Sequence, residues 1–195
     1  MRKPRTRRKT PDAPLTAATI VAAAMALLNE QGFEGVSLRR LAQRLGISAP
    51  SLYWHFADKS ALLAAVLERI FATGLDSLPA AKHWRDWMRA FGEAMWQASQ
   101  STRDFNRLVA TTQIGPAQLE RTLVRIRAAL AHIDMEEAEA MRIQSSVQAL
   151  VLGWSTFSQA PYASKLGETL DFELLMRENL ELLLAGEALK LARGA

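Results

Sequence analysis

The sequence predicts an all-α fold, with an N-terminal three-helix unit around a helix-turn-helix, a linking helix and a larger helical region behind it. Apolar residues recur at three- and four-residue intervals along most of the chain. The breaks fall at glycine and proline: Gly32, Gly46, Gly74, Pro79, Gly115-Pro116 and the stretch from Pro161 to Gly167. Between Gly35 and Lys59, GVSLRRLAQRLGISAPSLYWHFADK, two short helical patterns meet across a tight turn. The expected organisation is a basic tail over 1–10, a helix-turn-helix domain over 11–60 and a helical domain over 61–195.

Each helix has its own justification. Thr16 is placed to cap a first helix to about Gln31, with Ile20, Ala24, Leu27 and Leu28 inward and Gly32 at its end. In the next pattern Leu38, Leu41, Ala42 and Leu45 fall at i, i+3, i+4 and i+7, so they form one apolar stripe while Arg39, Arg40, Gln43 and Arg44 point elsewhere. Ser37 can accept from its free amides, and Gly46 can take the left-handed backbone that ends it. Ile47 plugs the turn, Ser48 is a candidate cap and Pro50 falls in the first turn of a second helix, Ala49 to about His55. Asp58 caps a fourth helix through about Thr73. Beyond residue 75 long helices are expected near 83–100, 117–132, 136–158 and 171–192, with a short one near 103–110, and no strand.

The second helix divides by chemistry. Leu52 and Phe56, four apart, can pack back on the first, leaving Ala49, Ser51, Tyr53 and His55 to face outward. A hydroxyl, a phenol and an imidazole on one short helix suit a DNA major groove, where base edges and phosphates present acceptors. Charge placement fits. Residues 1–10 hold six Lys and Arg and no acid, in a chain whose net charge is +4, so the remainder stands at −2. Such a tail, beside a DNA-facing motif, is suited to phosphate or minor-groove contacts.

Cysteine is absent, which removes disulfides, thiol catalysis and thiolate metal sites and fits a reducing cytoplasm. No stretch reads as a signal peptide or a membrane span: the Ala-rich run at 22–28 is short and gives way to Asn29-Glu30. No Gly-rich phosphate loop, Ser–His–acid set or His-Glu-x-x-His pattern stands in a context that would make an enzyme. Asp134, Glu136, Glu137 and Glu139 cluster at a helix start, where acids complement the dipole; no metal or cofactor site is expected.

The residues Leu27-Leu28-Asn29-Glu30, Gly32, Gly35, Leu41-Ala42, Leu45-Gly46, Leu52-Tyr53-Trp54-His55, Lys59 and Leu62-Leu63 resemble the tetracycline-repressor (TetR) family of bacterial transcription regulators. The Leu-Tyr-Trp-His form is similar to that of the tetracycline repressors themselves. The resemblance implies that double-stranded operator DNA is met by Ser37 and Arg39 from the first helix of the motif. From the second helix it implies Ala49, Pro50, Ser51, Tyr53 and His55, with Lys59 on a phosphate. Ala49 stands where those repressors carry a Gln, so the bidentate adenine contact of Gln is unavailable and the operator sequence does not carry over. The resemblance further implies release from a palindromic operator when a ligand moves the fourth helix.

A weaker resemblance, at Trp84-Arg85-Asp86-Trp87 and in helix order, extends into the C-terminal region. It implies an effector cavity among these helices, for which Trp87, Phe91, Met95 and Trp154 are apolar candidates. Thr111, Thr112 and Gln113 would form a mobile wall, and Gln144, Gln148 and Ser155 are polar candidates. The same alignment puts Leu75 and Val109 at the histidine positions that hold a magnesium–tetracycline complex in those repressors, and Phe91 at an asparagine. The effector is therefore expected to be apolar or aromatic and not tetracycline. A homodimer is expected through the helices at 136–158 and 171–192, from Val147, Leu150, Val151, Trp154, Leu174, Leu175, Leu180, Leu183 and Leu184. The competing reading is a DNA-binding regulator governed by a protein partner or by no ligand, which a filled core in place of a cavity would favour.

Overall fold

The computed structural model describes residues 15–194, in ten helices and, among those residues, no strand. The basic tail lies outside them. Helix α1 (Ala17–Gly35) starts as its sequence dictates: Thr16 Oγ1 accepts from the Thr19 amide and Thr19 Oγ1 from the Thr16 amide, so each hydroxyl satisfies the other's free N–H. At Gly32 the backbone turns to φ 73°, ψ 179°, and residues 33–35 add one offset turn.

Helices α2 (Leu38–Leu45) and α3 (Ala49–Tyr53) form the helix-turn-helix. Ser37 caps α2 by accepting from the Arg40 amide at 3.2 Å, and Gly46 ends it in the left-handed region at φ 67°. Ser48 does not cap α3: its hydroxyl lies 2.8 Å from the Ser51 hydroxyl, and Pro50 leaves one fewer amide to satisfy. Nor does α3 reach His55. It ends at Tyr53; past it the Leu52 carbonyl accepts from both the His55 and the Phe56 amides, at 2.9 Å each, and Phe56 is buried in the core.

Helix α4 (Lys59–Asp76), capped by Asp58 on the Ala61 amide, runs past Gly74 and stops at Ser77. Gly74 fails as a terminator because its φ stays helical; the Ser77 hydroxyl and amide take the last carbonyls instead. Then follow α5 (Trp84–Ser101), α6 (Phe105–Thr111), α7 (Pro116–Leu130), α8 (Glu137–Ser158) and α10 (Phe172–Gly194). Between the last two a single turn, α9 (Ala163–Leu166), forms inside a stretch expected to be a break.

Met88, Ile143, Val147, Val151, Met176, Leu180 and Leu184 are almost wholly buried where α5, α8 and α10 meet. Gly92 lets α5 approach so closely that a Cβ there would lie 2.7 Å from Leu180 Cδ2 and 3.2 Å from Val147 Cγ1. This packing corrects the expected dimer surface. Val147, Val151, Leu180 and Leu184 face their own chain's core, whereas Leu174, Leu182 and Leu189 on α10 are exposed, the latter two at 71% and 61%. Among the described residues no helix is long and apolar enough to cross a membrane.

Candidate nucleic-acid interface and effector cavity

The helix-turn-helix is held from behind so that its front stays open. Leu38, Leu41, Ala42 and Leu52 are buried against α1 and α4. Arg44 grips Glu30 on α1 through two bonds of 2.5 and 2.7 Å, a pairing that raises the guanidinium and lowers the Glu30 carboxyl from their ordinary values. Arg40 donates to the Gly35 carbonyl at 3.1 Å. Two of the three α2 arginines thus brace the motif, and Arg39 remains exposed.

At the end of α3 the chain presents Tyr53 and His55, both exposed, with Trp54 between them at 90% exposure. Trp54 was not among the residues expected to face outward. A helical wheel has no reliable place for it because the helix has already ended, and only the run of four consecutive ring side chains, Tyr53 to Phe56, could have flagged it. Ser37, Ala49 and Ser51 are half-buried along the same edge, and Pro50 is exposed. Lys59 is turned differently: its ammonium donates to the Phe33 carbonyl at 2.9 Å and lies 4.7 Å from the Phe33 ring centre, tying α4 to the end of α1.

The same corner fastens the front helices to the rest of the molecule. Asp104 Oδ2 accepts from the Phe33 amide at 2.7 Å; the Arg103 amide donates to Asn29 Oδ1 at 3.0 Å, and its guanidinium to the Glu30 carbonyl at 2.9 Å. Arg107 pairs with Glu34 and lies over the Phe33 ring at 4.5 Å. Asp104 is, among the described residues, the single non-glycine with positive φ, at 56°. That backbone turn aims its carboxylate at α1.

Between α4, α5, α7 and α8 lies an inner cavity of about 220 Å³. Leu75, Phe91, Ile126 and Met141 give it an apolar wall, and Gln118, Gln144 and Gln148 supply amides. Gln144, only 2% exposed, donates to Gln148 Oε1 at 3.0 Å. At the lip Glu68 accepts from Arg121 at 2.8 and 3.0 Å, which holds its carboxyl below the usual range against the opposing effect of burial. A second, more open hollow of about 770 Å³ adjoins it, between the loops at 78–82 and 131–134.

Of the residues expected to hold an effector, Phe91, Gln144 and Gln148 line the inner cavity and Trp87 the outer hollow. Met95 is packed in the core two turns along α5 from Trp87, and Trp154 joins Phe157 in an aromatic cluster toward α10. Thr111, Thr112 and Gln113 line neither; the next residue, Ile114, does. Ser155 bonds Asn106 Oδ1 at 3.1 Å and is buried. Val109 is half-buried against the core, and no histidine is among the residues lining the inner cavity. Among the described residues no group of three or more His, Asp or Glu could hold a metal; Glu136 instead caps α8 by accepting from the Glu139 amide.

Comparison with known proteins gives this geometry a lineage. Residues 20–66 match the model for bacterial regulatory proteins of the tetR family. A transcriptional regulator of the helix-turn-helix type from Saccharopolyspora erythraea is 30% identical over 164 residues, covering 80% of this chain and 69% of that protein. The chain belongs to the TetR family. The class A tetracycline repressor of transposon 1721, from Escherichia coli, is 40% identical over 111 residues, or 56% of this TetR-family chain and 51% of the repressor. The match thus spans about half the length of that curated relative. A TetR variant from Acinetobacter baumannii AYE, solved in complex with minocycline, superposes with a TM-score of 0.70 at 30% identity, over 89% of this chain and 96% of that one. The first two are named as a transcriptional regulator and a repressor.

Proposed function

We propose that this chain is a one-component transcription regulator that binds a palindromic operator as a homodimer and is released by a small, largely apolar or aromatic effector. The observation that carries the DNA reading is the exposed Tyr53-Trp54-His55 edge on a motif whose other side is fully packed. Arg39 and the two hydroxyls of Ser37 and Ser51 extend that edge with groups suited to phosphates and base edges. In this reading the DNA-binding unit is residues 11–60, with the effector and dimer functions in 61–195, and Lys59 serves first to anchor α4 and only through its remaining donors to meet a phosphate.

Dimerisation fits the outer faces of α8 and α10. Leu182 and Leu189 are seven apart on α10 with Gly186 between them, and Gly153 on α8 has no atom within 4 Å of where its Cβ would be, so a partner helix can approach both. A two-fold pair sets the recognition helices about 34–36 Å apart, one turn of DNA.

Release is supported by the position of α4. One helix carries Glu68 and Leu75 in the cavity wall and, at its other end, Leu62 and Leu63 packed with the DNA-facing unit. A regulator governed only by a protein partner would leave the open inner cavity without a role. The test is reciprocal: duplex from the DNA flanking the gene is titrated with protein in the presence of a panel of aromatic dyes and drugs. Effector and DNA should each weaken the other by the same factor, about 5–150-fold for a coupling of 1–3 kcal/mol. Tight binding of a dye without any change in DNA affinity would remove the effector reading.

A further inference from the structure

The two hollows share a wall. Leu75 lines both, Trp87 faces the outer and Phe91 the inner, and the Trp87 and Phe91 rings are stacked 5.3 Å apart at an interplanar angle of 8°. The inner cavity, at about 220 Å³, falls short of the roughly 300–1,000 Å³ of drug-sized sites. The outer hollow is ample but open, with few ways to grip a ligand on its own. The partition between them is one aliphatic side chain and one pair of parallel rings.

Resting on the effector reading above, we infer that the inner cavity and outer hollow are two chambers of one site, whose occupant is an elongated, uncharged aromatic molecule threaded past Leu75 and meeting Trp87 in one chamber and Phe91 in the other. Leu75 lies one residue before the last of α4 and is partly buried against the core, with both hollows on its exposed side. Each ring of the stack lines its own chamber, so an aromatic occupant meets a ring on either side of Leu75. Neither chamber carries a net charge: Glu68 is paired with Arg121 at the inner lip, and the outer wall carries Lys82 and Asp134, which are of opposite sign. At the closed end, Gln144 gives its amide to Gln148, which leaves the Gln144 carbonyl as acceptor and the Gln148 amide as donor. The inner end of the occupant therefore carries a hydrogen-bonding group on a ring. The floor of the outer chamber is fixed by the Asp134 amide donating to the Lys82 carbonyl at 3.2 Å.

Two probes separate the chambers: N-phenyl-1-naphthylamine, which is long, and 1-naphthylamine, which shares its fused rings and nitrogen but lacks the phenyl. Each is titrated into the full chain and into Leu75→Trp and Leu75→Ala, followed by probe and tryptophan fluorescence. Filling the partition with Leu75→Trp should weaken the long probe by about tenfold or more and the short one by much less, with the helical circular dichroism of the variant checked against wild type. Leu75→Ala should tighten the long probe and not the short. Parallel changes for both probes would overturn the two-chamber site. If the wild-type chain takes the short probe and refuses the long one, the two-chamber site falls and the effector reading stands; if it takes neither, both fall.

Discussion

Replacing Gly32 with alanine should loosen the corner that joins the DNA-facing helices to the rest of the chain. Its backbone, φ 73° and ψ 179°, lies in a region open to glycine, and an L side chain held there costs about 1–3 kcal/mol. The new Cβ would also lie 2.7 Å from Asp104 Oδ2. That oxygen is already committed to the Phe33 amide at 2.7 Å, and moving it weakens a charge-assisted bond worth about 1–2 kcal/mol at so exposed a site. The combined loss of about 2–5 kcal/mol should lower Tm by about 4–20 °C for a chain of this size. Thermal unfolding followed by circular dichroism measures it. A double-mutant cycle adds the mechanism: Asp104→Gly removes the obstructing carboxylate, so it should cost less beside Gly32→Ala than in the wild-type chain. A Gly32→Ala protein melting within about 2 °C of wild type, or a cycle with no coupling, would refute the reasoning.

Leu182→Glu combined with Leu189→Glu should give a monomer by light scattering at micromolar concentration and weaken operator binding without loss of helix; a persistent dimer would exclude that face of α10. Gly92→Val should destabilise the chain by about 1–3 kcal/mol in urea, because its Cβ meets Leu180 and Val147, and a stabilised variant would show that α5 is free to shift. Acid should destabilise the fold. The Glu187 carboxyl, buried in α10, is held below the usual range by Arg142, against burial and with help from Lys190, and Glu181 is held down by Arg89. A depressed folded value means this stability is present at neutral pH and is lost as pH falls through the carboxylate range, from about pH 5 downward. Melts from pH 7 to pH 3 should show that decline, with a smaller one in Glu187→Gln; a Tm that rises on acidification would contradict it.

Much of the helix-turn-helix was legible because short-range chemistry decides it. The Thr16 and Ser37 caps, Gly46 in its left-handed turn and the Leu38–Leu41–Ala42 stripe all depend on residues within one or two turns. The readings that failed turn on which of several nearby groups takes a helix end, or on what packs against a face from far along the chain. Gly74 looks like a stop until Ser77 supplies the cap, and α3 looks two residues longer until Phe56 is drawn inward. Trp87, Phe91 and Met95 share a helical stripe, yet a stripe on α5 passes three surroundings: the outer hollow, the inner cavity and the packed core. Periodicity reports which side is buried and not what lies against it. The Arg103–Asp104 clamp on α1 joins residues more than seventy positions apart and leaves no local pattern to read.

The central claim is that Tyr53, Trp54 and His55 are presented, in two copies, to one face of duplex DNA. The most direct test is enrichment of binding sites from a random-sequence duplex pool by the purified full chain, read by sequencing and repeated with Tyr53→Ala. The account predicts pseudo-palindromes whose half-site centres are about 10–10.5 base pairs, or a multiple of that, apart, and their loss in the variant. Enrichment of a single asymmetric site, or the same sites from Tyr53→Ala at undiminished strength, would contradict it.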